Sequence, residues 1–144
     1  MTGFGRTGRW FAVDHWGVRP DILVAAKGAS SGYFPFGFAA TSGEHYALVR
    51  RSGFTHGFTF SHSAVGAAVA GEVLRILEAE RLVEASAAKG AHLAGLLRGR
   101  LGGHPTCGEV RGRGLMVGLE LVADRASRRP FPRAAKVTEA VAAA

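Results

Sequence analysis

The sequence predicts an α/β fold, and three stretches carry that prediction. Ile22 to Ala26 is a wholly apolar run after Pro20 and before Gly28, the pattern of a short strand buried on both faces. From Ser63, AVGAAVAGEVLRILEAERL places Val65, Val69, Val73 and Ile76 on one side of a helix, with Glu72, Arg75 and Glu80 at its edges. Further on, Leu115, Val117, Leu119 and Leu121 alternate with Met116, Gly118 and Glu120, the period of a strand with one face covered. With 144 residues, 47% of them hydrophobic and 20% charged, the chain can bury a core and has room for about one domain and a half.

Residues 1 to 62 hold most of the Phe, Trp and Tyr and much of the Gly, which reads as loops and short strands in close contact. Phe38 to Thr41 is a second candidate strand there. Ser63 stands where a helix N-cap belongs, ahead of the long apolar stripe. A second helix is expected over Ala85 to Leu101, with Leu93, Leu96, Leu97 and Leu101 on its apolar side and the glycines at 102 and 103 ending it. Gly90 inside it marks a kink or is simply tolerated. The strand that follows suggests a smaller subdomain, so the expected division is 1–101 and 104–144. From Arg125 the stretch reads as a loop or linker, and a helical start at Ala134 runs to Ala144 without a cap. The opening on a glycine-rich turn and the ending inside a helical pattern suggest a piece of a longer protein, or a misassigned reading frame.

Composition narrows the function classes. No apolar run approaches the ~20 residues of a membrane span, and MTGFGRTGRW lacks the features of a signal peptide. A cytoplasmic protein is expected, without membrane association. The one cysteine, Cys107, and six scattered histidines give no metal-ligand spacing. A net charge of +7 would suit an acidic partner such as nucleic acid. Only Lys27, Lys89 and Lys136 are lysine, however, and the arginine excess beside many Ala and Gly is the residue usage of a GC-rich genome. The arginines are also spread out, without interleaved aromatics on which bases could stack, so no nucleic-acid partner is expected.

Gly3, Gly5 and Gly8 match the spacing of a dinucleotide-binding loop, but only two residues precede Gly3, leaving no room for the strand that such a loop follows. Lys27 is more informative. It directly follows the apolar run and precedes Gly28, at the carboxyl end of a predicted strand, where α/β proteins bind ligands. Partial burial there would free its amine as a nucleophile; the alternative is a strand-end lysine that reaches solvent. The segment His56 to His62 (HGFTFSH) is dense in hydroxyl and imidazole groups ahead of the long helix. It can help hold a phosphate or serve only as a cap with core aromatics. No Ser/His/Asp or Cys/His arrangement stands out.

Taken together, MTGFGRTGRWFA, HWGVRPDILVAAKG, GYFPFGFAA, THGFTFSHSAVGAA and GEVRGRGLMVGLELV resemble, in this order and at these intervals, the class III (omega) aminotransferases. These are pyridoxal-phosphate enzymes of fold type I. The resemblance spans nearly the whole chain. It implies that residues 1–101 are the C-terminal part of the large cofactor-binding domain and that 104–144 begin the small α+β domain.

In that family the lysine of the AKG motif carries pyridoxal 5′-phosphate as a Schiff base and shuttles the substrate's proton, and Lys27 matches it. Thr59 is similar to the threonine that reaches the phosphate of the partner subunit's cofactor, which implies a homodimer with shared active sites. Gly57 and Phe58 would shape the same loop. The implied reaction moves an amino group between an amine or ω-amino acid and a keto acid. The family's aspartate for the pyridine nitrogen falls just before the residues matching Met1, and Asp14 and Asp21 belong to a different block. The turn that holds the phosphate and the aromatic residue that stacks on the ring also lie upstream of the matched blocks. The chain alone is therefore expected to be weak or inactive. Aminomutase or decarboxylase chemistry on the same scaffold, or a non-catalytic remnant, remain as other readings.

Overall fold

A computed structural model describes residues 1–143; the expected end of the last helical pattern, at Ala144, lies outside them. The strands form two small sheets. In the first, β1 (Ile22–Ala26) pairs antiparallel with β2 (Gly37–Thr41), Ile22 opposite Thr41 and Ala26 opposite Gly37. In the second, β3 (Cys107–Arg113), β4 (Met116–Asp124) and the two-residue β5 (Arg129–Pro130) run in that order, all antiparallel.

Three helices separate the sheets: α1 (Gly43–Ser52), α2 (Ala64–Ala79) and α3 (Leu82–Leu101); α4 (Val137–Ala143) follows. Ser63 caps α2 as its position predicts, its Oγ accepting from the Gly66 N–H at 3.1 Å. Ser42 does the same for α1, accepting from the His45 N–H at 3.3 Å.

Several faces differ from the sequence reading. The strand β1 is not buried on both sides: Ile22 and Val24 are exposed, Val24 by 79%, while Leu23 and Ala25 on the other face are half-buried, so among the described residues one face is covered and the other is not. On α3 the buried residues are Val83, Ser86, Gly90 and Ala94, while Leu93 and Leu96 are exposed. Small residues line that face because backbone, not side chains, packs on it. A Cβ on Gly90 would stand 2.6 Å or less from three backbone atoms of Gly114, in the turn between β3 and β4. Gly90 is therefore a point of close approach within the continuous helix.

The glycine-rich start of the chain occupies the same seam. A Cβ on Gly8 would meet Ala87 at 2.8 Å, and one on Gly5 would meet Val83 at 3.2 Å. The Arg6 carbonyl accepts from Ser86 Oγ at 3.2 Å and from the Leu115 N–H at 2.9 Å, tying segment, helix and turn together. These glycines serve packing against α3.

In β4 the alternation breaks. Leu119 is exposed, whereas Val122, only 2% exposed, is the most buried residue of the strand. Register shifts between Cys107 and Glu109 and between Val122 and Asp124 move the covered face by one residue. Helix α3 packs on β3 and β4, across the boundary expected between 101 and 104. Part of the expected linker is strand β5; its Pro130, which has no N–H to donate, sits at the sheet edge.

Candidate active site

Lys27 lies where β1 ends. Ala26 is the last residue in register with β2, and Lys27 opens a single 3-10 turn over Lys27–Ala29. Its φ of 49° is in the left-handed region, which L residues other than Asn and Asp seldom enter. The next residues anchor the turn: Ala29 and Ser30 are each 1% exposed, and the Ser30 N–H donates to the Lys27 carbonyl at 3.2 Å. Ser30 Oγ donates to the Phe34 carbonyl at 2.5 Å, closing the following loop. The lysine side chain itself is exposed, so the partial burial that would free its amine is not supplied by the described residues.

Lys27 borders an open cleft of about 1060 Å³ that runs along β1. Its lining includes Lys89, Arg6, Thr2, Ser31 and Ser86, and among the described residues no aspartate or glutamate. Most of the lining is apolar, Ile22, Leu23, Val73, Leu77 and Leu82 among it, and the Ser86 hydroxyl is already bonded to the Arg6 carbonyl; the Lys27 amine at the edge can condense with a carbonyl.

Thr59 is elsewhere. It lies in the exposed turn that follows the irregular stretch 53–58, and it does not line the Lys27 cleft. The same loop exposes Phe54, Phe58 and Phe60, with the His56 ring between Phe54 and Phe58 at centroid distances of 5.9 and 6.0 Å. Gly57 has open space around it. The structure therefore does not bring Thr59 and Lys27 together within one chain.

A family model for class III aminotransferases matches residues 1–143. This chain belongs to that family. The putrescine–pyruvate aminotransferase of Pseudomonas aeruginosa is 42% identical over 132 residues, covering 91% of this chain and 29% of that protein. A thermostable (S)-enantioselective omega-transaminase from Thermomicrobium roseum superposes with a TM-score of 0.88 at 48% identity, over 94% of this chain and 30% of the other. An aminotransferase of Bacillus anthracis gives 0.88 at 39% identity, over 92% and 30%. The chain thus spans under a third of the length of these relatives.

Class III aminotransferases are pyridoxal-phosphate enzymes, and the mixed helix and strand architecture agrees with a part of a fold type I protein. At the edge of the cleft Lys27 offers the primary amine that such a cofactor's aldehyde requires. The cleft offers no acid for the ring nitrogen among the described residues.

One residue that the sequence reading passed over is Phe4, which also borders the cleft and whose ring lies against Gly28, next to Lys27. Its signal is faint in sequence: a single aromatic between two glycines.

Proposed function

We propose that this chain carries the lysine portion of a pyridoxal-phosphate site for transamination between an amine or ω-amino acid and a keto acid. The observation that carries the reading is the position of Lys27, a primary amine at the end of β1 on the cleft, in a chain of the class III family. The names of two relatives, a putrescine–pyruvate aminotransferase and an omega-transaminase, support an amine donor and a keto-acid acceptor.

When bound, pyridoxal phosphate supplies the carbonyl that condenses with amines and a ring that takes up the electrons left behind when a proton leaves the substrate carbon. Lys27 Nζ would hold the cofactor covalently and, as a free amine, would move the proton from the substrate's α-carbon. Thr59, from the exposed turn after residue 58, would donate to the cofactor phosphate of a second subunit, the working form then being a homodimer with shared sites. Its separation from the Lys27 cleft supports that arrangement. Among the described residues no acid lines the cleft, so the expected turnover of the chain alone is slow or nil. The setting is cytoplasmic, which suits one free, buried Cys107. No helix of the described residues is long and apolar enough to cross a membrane.

The test is direct. The purified chain is mixed with pyridoxal phosphate, its visible spectrum recorded, the adduct fixed with borohydride and the modified peptide located by mass spectrometry. Label on Lys27, lost in Lys27→Ala, is the expected result. Absence of label, or equal label on Lys89 and Lys136, overturns the reading.

A further inference from the structure

Lys27 holds a left-handed backbone that a lysine does not choose unaided, and the residues around it show what enforces it. On its N-terminal side the β1–β2 ladder fixes Ala26 opposite Gly37. On its C-terminal side, the buried Ala29 and Ser30 fix the end of the turn. Gly28 lies between, and the Phe4 ring covers it: a Cβ built on Gly28 would stand 3.0 Å from Phe4 Cδ2 and 3.4 Å from Phe4 Cβ.

The ring is itself held. Phe4 has φ 55°, and its N–H donates to the Trp10 carbonyl at 2.7 Å. Its face meets neighbours edge-on: Phe11 at a centroid distance of 5.5 Å and 67°, and Phe38 at 6.3 Å and 71°. Phe38 is on β2, opposite Ala25. The aromatic cluster therefore ties the lysine turn to the second strand and to the start of the chain.

Resting on the reading of Lys27 as the cofactor lysine, we propose that Phe4 is a positioning residue for Lys27, acting through Gly28. The ring stands on the side of Gly28 that a Cβ would occupy, so the peptide that follows Lys27 cannot turn to that side without displacing it. It thereby fixes the direction in which the lysine side chain leaves β1 toward the cleft. Phe4 touches neither Nζ nor the reacting atoms in this account; it sets the backbone from which they are reached.

The test needs a readout that does not depend on the cofactor. The chain has three lysines, so selective 13C/15N-lysine labelling gives three backbone signals, assignable with single Lys→Arg variants. In the unaltered chain the Lys27 Cα and Cβ shifts should carry the left-handed signature. Phe4→Ala should move the Lys27 signal toward negative-φ values with Lys89 and Lys136 unmoved, and the borohydride-fixed label on Lys27 should fall several-fold relative to the other two lysines. Gly28→Ala, which pushes on the ring from the other side, should move the same signal in the Phe4 chain and add little in a Phe4→Ala background. A merely structural role for Phe4 would shift all three lysine signals through the fold, or none.

Phe4→Ala with a cooperative melt, an unmoved Lys27 signal and undiminished label overturns the proposal. Should Phe4→Ala fail to fold, an unmoved Lys27 signal in Gly28→Ala does so instead. If the unaltered chain takes no label on Lys27 while Phe4→Ala still moves its signal, the cofactor reading falls and the backbone role of Phe4 stands.

Discussion

Replacing Gly90 by alanine should destabilise the chain, although the same change elsewhere in α3 should stabilise it. The added Cβ would overlap the Gly114 carbonyl group and stand 2.6 Å from its Cα, well short of the 3.4 Å at which ordinary contact begins. Its neighbours are backbone atoms, so no side chain can rotate away and the helix must retreat from the turn. That retreat loosens the contacts of Val83, Ser86 and Ala94, which share the face. Overpacking of this kind costs ~1–3 kcal/mol, with rigid backbone neighbours at the upper end. Against it stands the helix-propensity gain of ~1 kcal/mol for Gly→Ala, leaving a net loss of about 2 kcal/mol. Gly95, on the same helix with nothing within 4 Å of its would-be Cβ, takes the gain alone. The two variants should thus differ by ~3 kcal/mol, a gap in melting temperature on the order of 10 °C for a chain of this size. Thermal unfolding followed by circular dichroism measures it. Should Gly90→Ala melt as high as Gly95→Ala, the close approach of α3 to the β3–β4 turn is wrong.

Other perturbations test local features. Ser63→Ala should cost about 1 kcal/mol by leaving the Gly66 N–H without its acceptor, and Ser63→Asp should restore most of it in denaturant titrations. Asp124 accepts from the Ser127 N–H at 2.8 Å and from Ser127 Oγ at 2.7 Å, and these bonds, the backbone one first, hold its carboxyl below the usual aspartate range. Because the folded value is depressed, the turn's contribution is present above the ordinary aspartate range and is lost as pH falls through the folded value. Ser127→Ala should raise the Asp124 titration seen by carboxyl NMR only part-way, since the N–H remains. Glu72 is likewise held low, chiefly by its hydrogen bond with Arg75; Arg75→Ala should return it to the ordinary glutamate range without changing the melting temperature, as both side chains are exposed.

What could be read in the sequence was what is local. The strands at Ile22 and Phe38, the Ser63 cap and the helix after it rest on periodicity and capping within a few residues, and each is present. Strand β3 was not legible: CGEVRGR carries no apolar alternation and becomes a strand only through β4. Helix α1 buries nothing, so no stripe announces it, although Ser42 offers the capping signal. On α3 the leucine stripe holds only in part, Leu97 and Leu101 being half-buried and Leu93 and Leu96 exposed; the face through Val83, Ser86, Gly90 and Ala94 is covered by backbone from distant segments and carries small residues that no apolar stripe announces. In the candidate site, Lys27 was visible because strand, lysine and glycine are consecutive. The contact of Phe4 with Gly28 joins residues 24 positions apart and required the fold.

These distant contacts converge on one short segment. Residues Phe4 to Gly8 touch the lysine turn at one end and the α3 seam at the other: Phe4 covers Gly28, the Arg6 carbonyl is shared by Ser86 and Leu115, and a Cβ on Gly114 would meet Thr7 and Gly8 backbone at 2.7 Å or less. The segment also leans on a second 3-10 turn, Ala12–Trp16, where His15 Nε2 lies 3.0 Å from the Thr7 carbonyl. Five residues this constrained transmit displacement rather than absorb it, because both ends meet backbone at contact distance. Gly90→Ala, made in α3 and remote in sequence from the lysine, should therefore move the Lys27 backbone signal as well as lower the melting temperature, whereas Gly95→Ala should leave that signal in place. A destabilised Gly90→Ala chain whose Lys27 signal is unchanged would mean that the segment gives way between Phe4 and Gly8, and that the lysine turn is set by β1 and its immediate neighbours alone.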